Sequence, residues 1–166
     1  MALFDRFSKK TKEENMEENT IGSPTKGKVV SMEDIPDPVF SQGVLGTCCG
    51  VTPEEGKVFA PMDGKITVVS DTKHAVGISG TNGQEIIIHV GIDTVDMHGD
   101  GFEVNVKQND KIKKGDLILT MDLDKIKAAG HPDLVILAVT NLGEGKTAKL
   151  IANENVKPGE DLFKIV

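Results

Sequence analysis

The chain of 166 residues contains no tryptophan and no tyrosine, and only six phenylalanines. Sugars and single-stranded bases are commonly held on exposed aromatic platforms, so neither kind of site is expected. Positive charge is also scarce: 19 Lys and Arg against 26 Asp and Glu leave a net −7, which disfavours nucleic-acid binding through phosphates. No apolar run approaches the ~18 residues of a membrane helix. The longest, at 86–92 and 134–139, are strand-length. No signal peptide is expected, because Asp5 and Arg6 interrupt Leu3, Phe4 and Phe7. The phosphate-cradling GxxxxGK[ST] loop of nucleotide-binding kinases is missing. Cys48 and Cys49 are the only cysteines. Neighbouring strand side chains point to opposite faces, so these two do not bridge each other. Their spacing is neither a redox CxxC nor a zinc pair, and they read as small core residues in a reducing cytoplasm.

Glycine is abundant, at 18 residues. In a non-repetitive chain this points to many tight turns between many short strands. Strands are expected at 65–70, 75–79, 85–90, 117–121, 134–140 and 162–166. Phe102, Val104 and Val106 alternate with Glu103, Asn105 and Lys107 as a half-buried strand does. One helix is expected over 122–129, capped by Asp122 and stopped by Gly130. Two echoes indicate a duplicated plan. SPTKGKVVSM (23–32) resembles APMDGKITVV (60–69), and NDKIKKGD (109–116) resembles NENVKPGE (153–160). The expected fold is all-β, an antiparallel β-sandwich of short strands with internal duplication and one or two short helical turns. Residues 1–20 read as a mobile polar tail and 21–166 as a single domain. Within the tail, Leu3, Phe4 and Phe7 share one face of a short helix beside basic residues, which would allow weak association with a membrane surface.

The chemistry concentrates on two histidines. His89 ends the run Ile86-Ile87-Ile88, where alternation puts Ile86, Ile88 and Val90 on one face and Ile87 and His89 on the other. His74 opens the preceding strand. A hairpin turn centred on Asn82–Gly83 would set His74 opposite a position near 91, about one residue from His89 along the ladder. Two close imidazoles suit three chemistries: a nucleophile toward phosphorus with a hydrogen-bonding partner, a zinc-ligand pair, or an acid–base pair. Thr72 offers a hydroxyl that could fix the second ring. His98 and His131 lie in loop contexts and read as solvated.

Around His89 the sequence reads Gly83, Ile86, Ile87, Ile88, His89, Val90, Gly91, Ile92, Thr94, Val95. This pattern resembles the phosphohistidine signature of the glucose-type IIA component of the bacterial phosphoenolpyruvate:sugar phosphotransferase system. SMEDIPDPVFSQGVLGTCCGV, APMDGKI, KHAVGI and HVGIDTVDMHGDGF extend the likeness, in order, from about residue 21 to the end. The resemblance implies a phosphotransferase with a phosphohistidine intermediate. His89 would accept phosphate from the phosphocarrier HPr and pass it to a IIB domain of a sugar permease. His74 would stabilise the phosphoryl group, and Thr72 would orient His74. Asp37 and Asp93 would flank the site as acids facing a basic partner, and Val39, Phe40 and Ile87 would form its apolar rim. Ile87 and Val90 depart from the pattern, since relatives carry bulkier aromatic residues there. No cofactor is required. His74 and His89 could join a partner carboxylate around zinc at a regulatory interface, with other permeases or glycerol kinase as further partners. The expected location is the cytoplasm, at times peripheral to the inner face of the membrane.

Two other classes fit less well. A zinc peptidase on a similar β plan needs an HxH pair, which does not occur. A biotinyl or lipoyl carrier, suggested by APMDGKI, would display a modifiable lysine in a hairpin turn, often between methionines, and none is found.

Overall fold

The computed structural model describes residues 19–166. The apolar face of Leu3, Phe4 and Phe7 therefore lies outside the described residues, as does nearly all of the expected tail. The strands are β1 (Thr20–Gly22), β2 (Gly27–Val30), β3 (Thr47–Pro53), β4 (Lys57–Phe59), β5 (Gly64–Val69), β6 (Ala75–Gly80) and β7 (Glu85–Val90). They continue with β8 (Phe102–Val104), β9 (Lys111–Ile112), β10 (Leu117–Met121), β11 (Val135–Asn141), β12 (Ala148–Leu150), β13 (Asn155–Val156) and β14 (Asp161–Ile165). Helical segments are short: α1 (Pro38–Ser41), α2 (Leu123–Ala128), and 3-10 turns at Met32–Asp34 and Thr94–Met97. Helix α2 forms where expected, with the Asp122 carboxylate accepting the Lys125 N–H at 3.1 Å and Gly130 left-handed just beyond its end.

An eight-stranded antiparallel sheet runs β13-β2-β3-β11-β7-β6-β5-β9. Two three-stranded sheets, β1-β14-β12 and β4-β10-β8, accompany it. The duplication seen in the sequence is carried by the register. Thr20, Ile21 and Gly22 pair with Lys164, Phe163 and Asp161. Their counterparts Lys57, Val58 and Phe59 pair with Thr120, Leu119 and Leu117, and both ladders are broken by a bulge. Likewise Gly27 faces Val156 as Gly64 faces Ile112. The two copies do not merely pack against each other, however. They are joined edge to edge by β7 and β11, which pair from Ile86↔Val139 to Val90↔Val135. The repeat therefore yields one continuous sheet.

The inner face of this sheet holds the main core. Ile86, Ile88, Val90, Val135, Leu137, Val76 and Ile78 lie there with Val58, Leu119, Ile21 and Phe163 of the smaller sheets. Non-directional burial of these branched side chains is the main stabilising term. The outer face is only half covered. On β3 and β11, Cys48, Ile136 and Ala138 are roofed by Ile35, Phe40 and Ile92. On β5 and β6, Val68 is exposed and Gly77 has no side chain to offer. Cys48 and Cys49 thus face opposite clusters, both as free buried thiols.

The β6–β7 register is one residue off the expected one, because the loop centres on Asn82 and not between Asn82 and Gly83. Gly80 N–H donates to the Gln84 carbonyl at 2.6 Å, leaving a loop of 81–83 with Gly83 at φ +86°. A three-residue loop ending in a left-handed glycine is a stable hairpin closure. It pairs Ser79 with Glu85, and hence sets His74 opposite Val90 instead of 91.

The equivalent glycines test the duplicated plan. A Cβ on Gly27 would stand 1.8 Å from the Thr52 carbonyl oxygen, and one on Gly64 2.3 Å from that of Ser79. Gly27→Ala and Gly64→Ala should each cost about 3 kcal/mol or more in urea unfolding, since the obstacle is backbone. Gly83→Ala meets nothing within 4 Å. It should cost only about 1 kcal/mol, from its left-handed φ.

Candidate functional site

His89 stands on the outer face of β7, between Ala75 of β6 and Ile136 of β11. This is the boundary between the roofed and the open halves of the sheet. The next row of that face is Val68, Gly77, Ile87 and Ala138. His74 precedes β6, where strict alternation would turn its ring to the inner face. Lys73 is left-handed at φ +61°, and the 70–75 loop is closed by Lys73 N–H to the Ser70 carbonyl and Ser70 N–H to the Ala75 carbonyl. This turn brings the His74 ring over to the outer face. The two imidazoles lie edge to face, with centroids 4.9 Å apart.

Each ring is held by its Nδ1. His89 Nδ1 is 2.8 Å from the Gly91 carbonyl oxygen, which can only accept, so Nδ1 carries the proton and Nε2 presents a lone pair. His74 Nδ1 is 2.6 Å from the Thr72 hydroxyl and 3.4 Å from that of Ser70. Ser70 had no signature in the sequence, because only the closed loop brings it to the ring.

The remaining expected residues also gather here. Asp37 caps α1, its carboxylate accepting the Val39 N–H at 2.9 Å. Asp93, exposed and left-handed, follows Gly91 and Ile92. Val39 is exposed and Ile87 half-buried. Phe40 is buried, and its ring lies 5.1 Å from that of His89. It supports the imidazole from below and contributes little open surface. Val44, Val68 and Val95 add exposed apolar surface that strand periodicity did not single out. His98 is exposed, as expected for a loop histidine, whereas His131 is half-buried before Pro132. Among the described residues no group of three or more His, Cys, Asp or Glu is placed to hold a metal ion. Nor is any described helix long and apolar enough to cross a membrane.

Residues 19–145 match the family model of the phosphoenolpyruvate-dependent sugar phosphotransferase system, EIIA 1. The chain belongs to this family. It is 38% identical over 156 residues to the glucose-specific EIIA component of Halalkalibacterium halodurans, covering 93% of this chain and 90% of that one. It is 39% identical over 145 residues to the beta-glucoside-specific EIIBCA component of Bacillus subtilis. That match takes in 87% of this chain but only 24% of the longer relative. Among solved structures, glucose permease IIA from Mycoplasma capricolum superposes with a TM-score of 0.79 at 32% identity, covering 88% of this chain and 94% of the other.

In this EIIA chain the site is built to keep its histidines neutral. Burial pushes the His89 pKa down to about 4, with the His74 ring adding to the effect. The Gly91 carbonyl, Asp37 and Asp93 oppose the shift without cancelling it. His74 is lowered as well, chiefly by burial, against the pull of the Thr72 carbonyl. Near pH 7 the His89 lone pair is therefore available.

The sign of the linkage follows. Below its ordinary value of 6.5, His89 binds a proton more readily in the unfolded chain than in the folded one. Its contribution to stability is complete above pH 6.5 and is lost as pH falls through about 4. In NMR titrations the His89 ring should show a midpoint near 4, well below the ordinary 6.5. In urea unfolding, His89→Gln should lose less stability than the wild type over the same window. A His89 midpoint at 6.5 would contradict the burial assigned to the ring.

Proposed function

We propose that this EIIA component accepts a phosphoryl group on Nε2 of His89 and relays it to a IIB domain of a sugar permease. The observation that carries the reading is the bond from His89 Nδ1–H to the Gly91 carbonyl, which leaves Nε2 unprotonated on a half-buried ring. The Nε2 lone pair would attack the phosphorus of phosphorylated HPr. The new N–P bond forms as the bond to the carrier's imidazole breaks. The carrier's phosphorylated ring, protonated from solvent on its other nitrogen beforehand, leaves as the neutral imidazole. The positive charge passes to the His89 ring, which keeps its Nδ1–H on the Gly91 carbonyl. Such a transfer needs positioning and charge stabilisation more than covalent assistance. His74 supplies the stabilisation. The Thr72 hydroxyl can donate to Nδ1, and in that tautomer the Nε2–H of His74 is free to donate to a phosphoryl oxygen. Phosphoryl charge on His89 would also raise the His74 pKa and strengthen that donor.

Asp37 and Asp93 would steer a basic carrier, and the apolar surface of Val39, Ile87, Val44, Val68 and Val95 would receive both donor and acceptor in turn. Fusion of EIIA to IIB and IIC in the Bacillus subtilis relative supports a IIB acceptor. The work belongs in the cytoplasm. Zinc is a secondary reading. Two neutral imidazoles supply two of its usual four ligands, and a partner carboxylate would have to supply more. Regulation of other permeases or of glycerol kinase would use the same surface, and lipid association would rest on the tail.

Incubation with phosphoenolpyruvate, enzyme I and HPr should label the wild type once, with acid-labile, base-stable phosphate. His89→Gln should abolish labelling. His74→Gln should still accept phosphate, but onward transfer to IIB should fall by about a hundredfold or more. Label on His98 or His131 would overturn the assignment.

A further inference from the structure

We infer that Thr94 is a positioning residue whose hydroxyl, acting through the backbone of Gly91, holds His89 in the tautomer that leaves Nε2 free. The inference rests on the reading of His89 as phosphoryl acceptor and adds a residue to it. The carbonyl that takes the His89 proton belongs to a glycine at φ +74°, a conformation that L side chains rarely adopt. Two peptide planes meet at that glycine, and all four of their polar groups are bonded. In the first plane the Val90 carbonyl accepts from the Thr94 hydroxyl, and the Gly91 N–H donates to the Leu134 carbonyl at 2.8 Å. In the second the Gly91 carbonyl accepts from His89 Nδ1, and the Ile92 N–H donates to the Pro132 carbonyl at 3.1 Å.

Of these anchors outside His89 itself, only the Thr94 hydroxyl comes from a side chain. Thr94 is fully buried, and its Cγ2 fills the place a Gly91 side chain would take, 2.3 Å from an ideal Cβ. The first plane cannot rotate without breaking that hydroxyl bond, and rotation there changes φ of Gly91. The Gly91 carbonyl would then turn away from Nδ1. Without it nothing in the site prefers a proton on Nδ1, and a proton moved to Nε2 occupies the lone pair that must attack phosphorus.

The test compares Thr94→Val, which keeps the shape and removes the hydroxyl, with Thr94→Ser, which keeps the hydroxyl and removes the methyl. Ring 15N shifts read the tautomer directly, and initial rates of phosphoryl uptake from phosphorylated HPr read its consequence. In the wild type, His89 should be the Nδ1–H tautomer. In Thr94→Val a substantial Nε2–H fraction should appear, with uptake about tenfold slower. Thr94→Ser should restore both. Slower uptake by Thr94→Val with an unchanged tautomer would mean a merely structural role and overturn the proposal. So would a tautomer change in Thr94→Ser, which decides the matter even if Thr94→Val does not fold. Failure of the acceptor assignment looks different: wild-type label would sit on another residue while the tautomer effect remained.

Discussion

A single hydrogen bond, from the His89 ring to the carbonyl two residues on, governs the chemistry this surface can perform. An imidazole has two nitrogens, and only a fixed proton on one makes the other a dependable nucleophile. Gly91 supplies that fixation because its positive φ turns the carbonyl back toward the ring. The surrounding structure serves this geometry. Strand β7 projects His89 outward, the Lys73 turn brings His74 beside it, and Phe40 supports the ring from below. Burial then keeps both rings below their usual pKa, so that the fixed tautomer is also the uncharged one.

The duplicated sheet explains why such a site can be both rigid and open. Strands β7 and β11 are the seam between the two copies, each hydrogen-bonded on both edges. Their inner faces are wholly buried in the main core. The outer face is roofed on one side of the seam by Phe40 and its neighbours, and left bare on the other. His89 stands at this step. A relay between two proteins must be reached from outside by each, and a deep pocket would obstruct the exchange. A shallow apolar face with acids at its border admits large partners and leaves the His89 ring half-buried.

Much of this was legible in the sequence because it depends on local pattern. Alternation in 85–90 put Ile86, Ile88 and Val90 on one face and Ile87 and His89 on the other, and the burial follows that division. Asp122 and Gly130 bounded α2 correctly. The two echoes anticipated ladders that repeat residue for residue. The hairpin register was misjudged by one residue because a three-residue loop and a two-residue loop share the same Asn-Gly signal. Further short helical turns at Met32–Asp34, Pro38–Ser41 and Thr94–Met97 escaped periodicity, since a single turn is too brief to show it.

The sequence by itself determined the strand pattern, the duplicated plan, the pair of histidines and the family, because these reside in neighbouring residues and their spacing. Tertiary structure decided which ring nitrogen is free, how the copies join, and which apolar side chains remain uncovered. The Gly91 carbonyl, the Ser70 hydroxyl and the Phe40 ring acquire roles only when folding sets them against a histidine. Those roles depend on backbone dihedrals and on contacts across strands, and neither is written in the order of residue types.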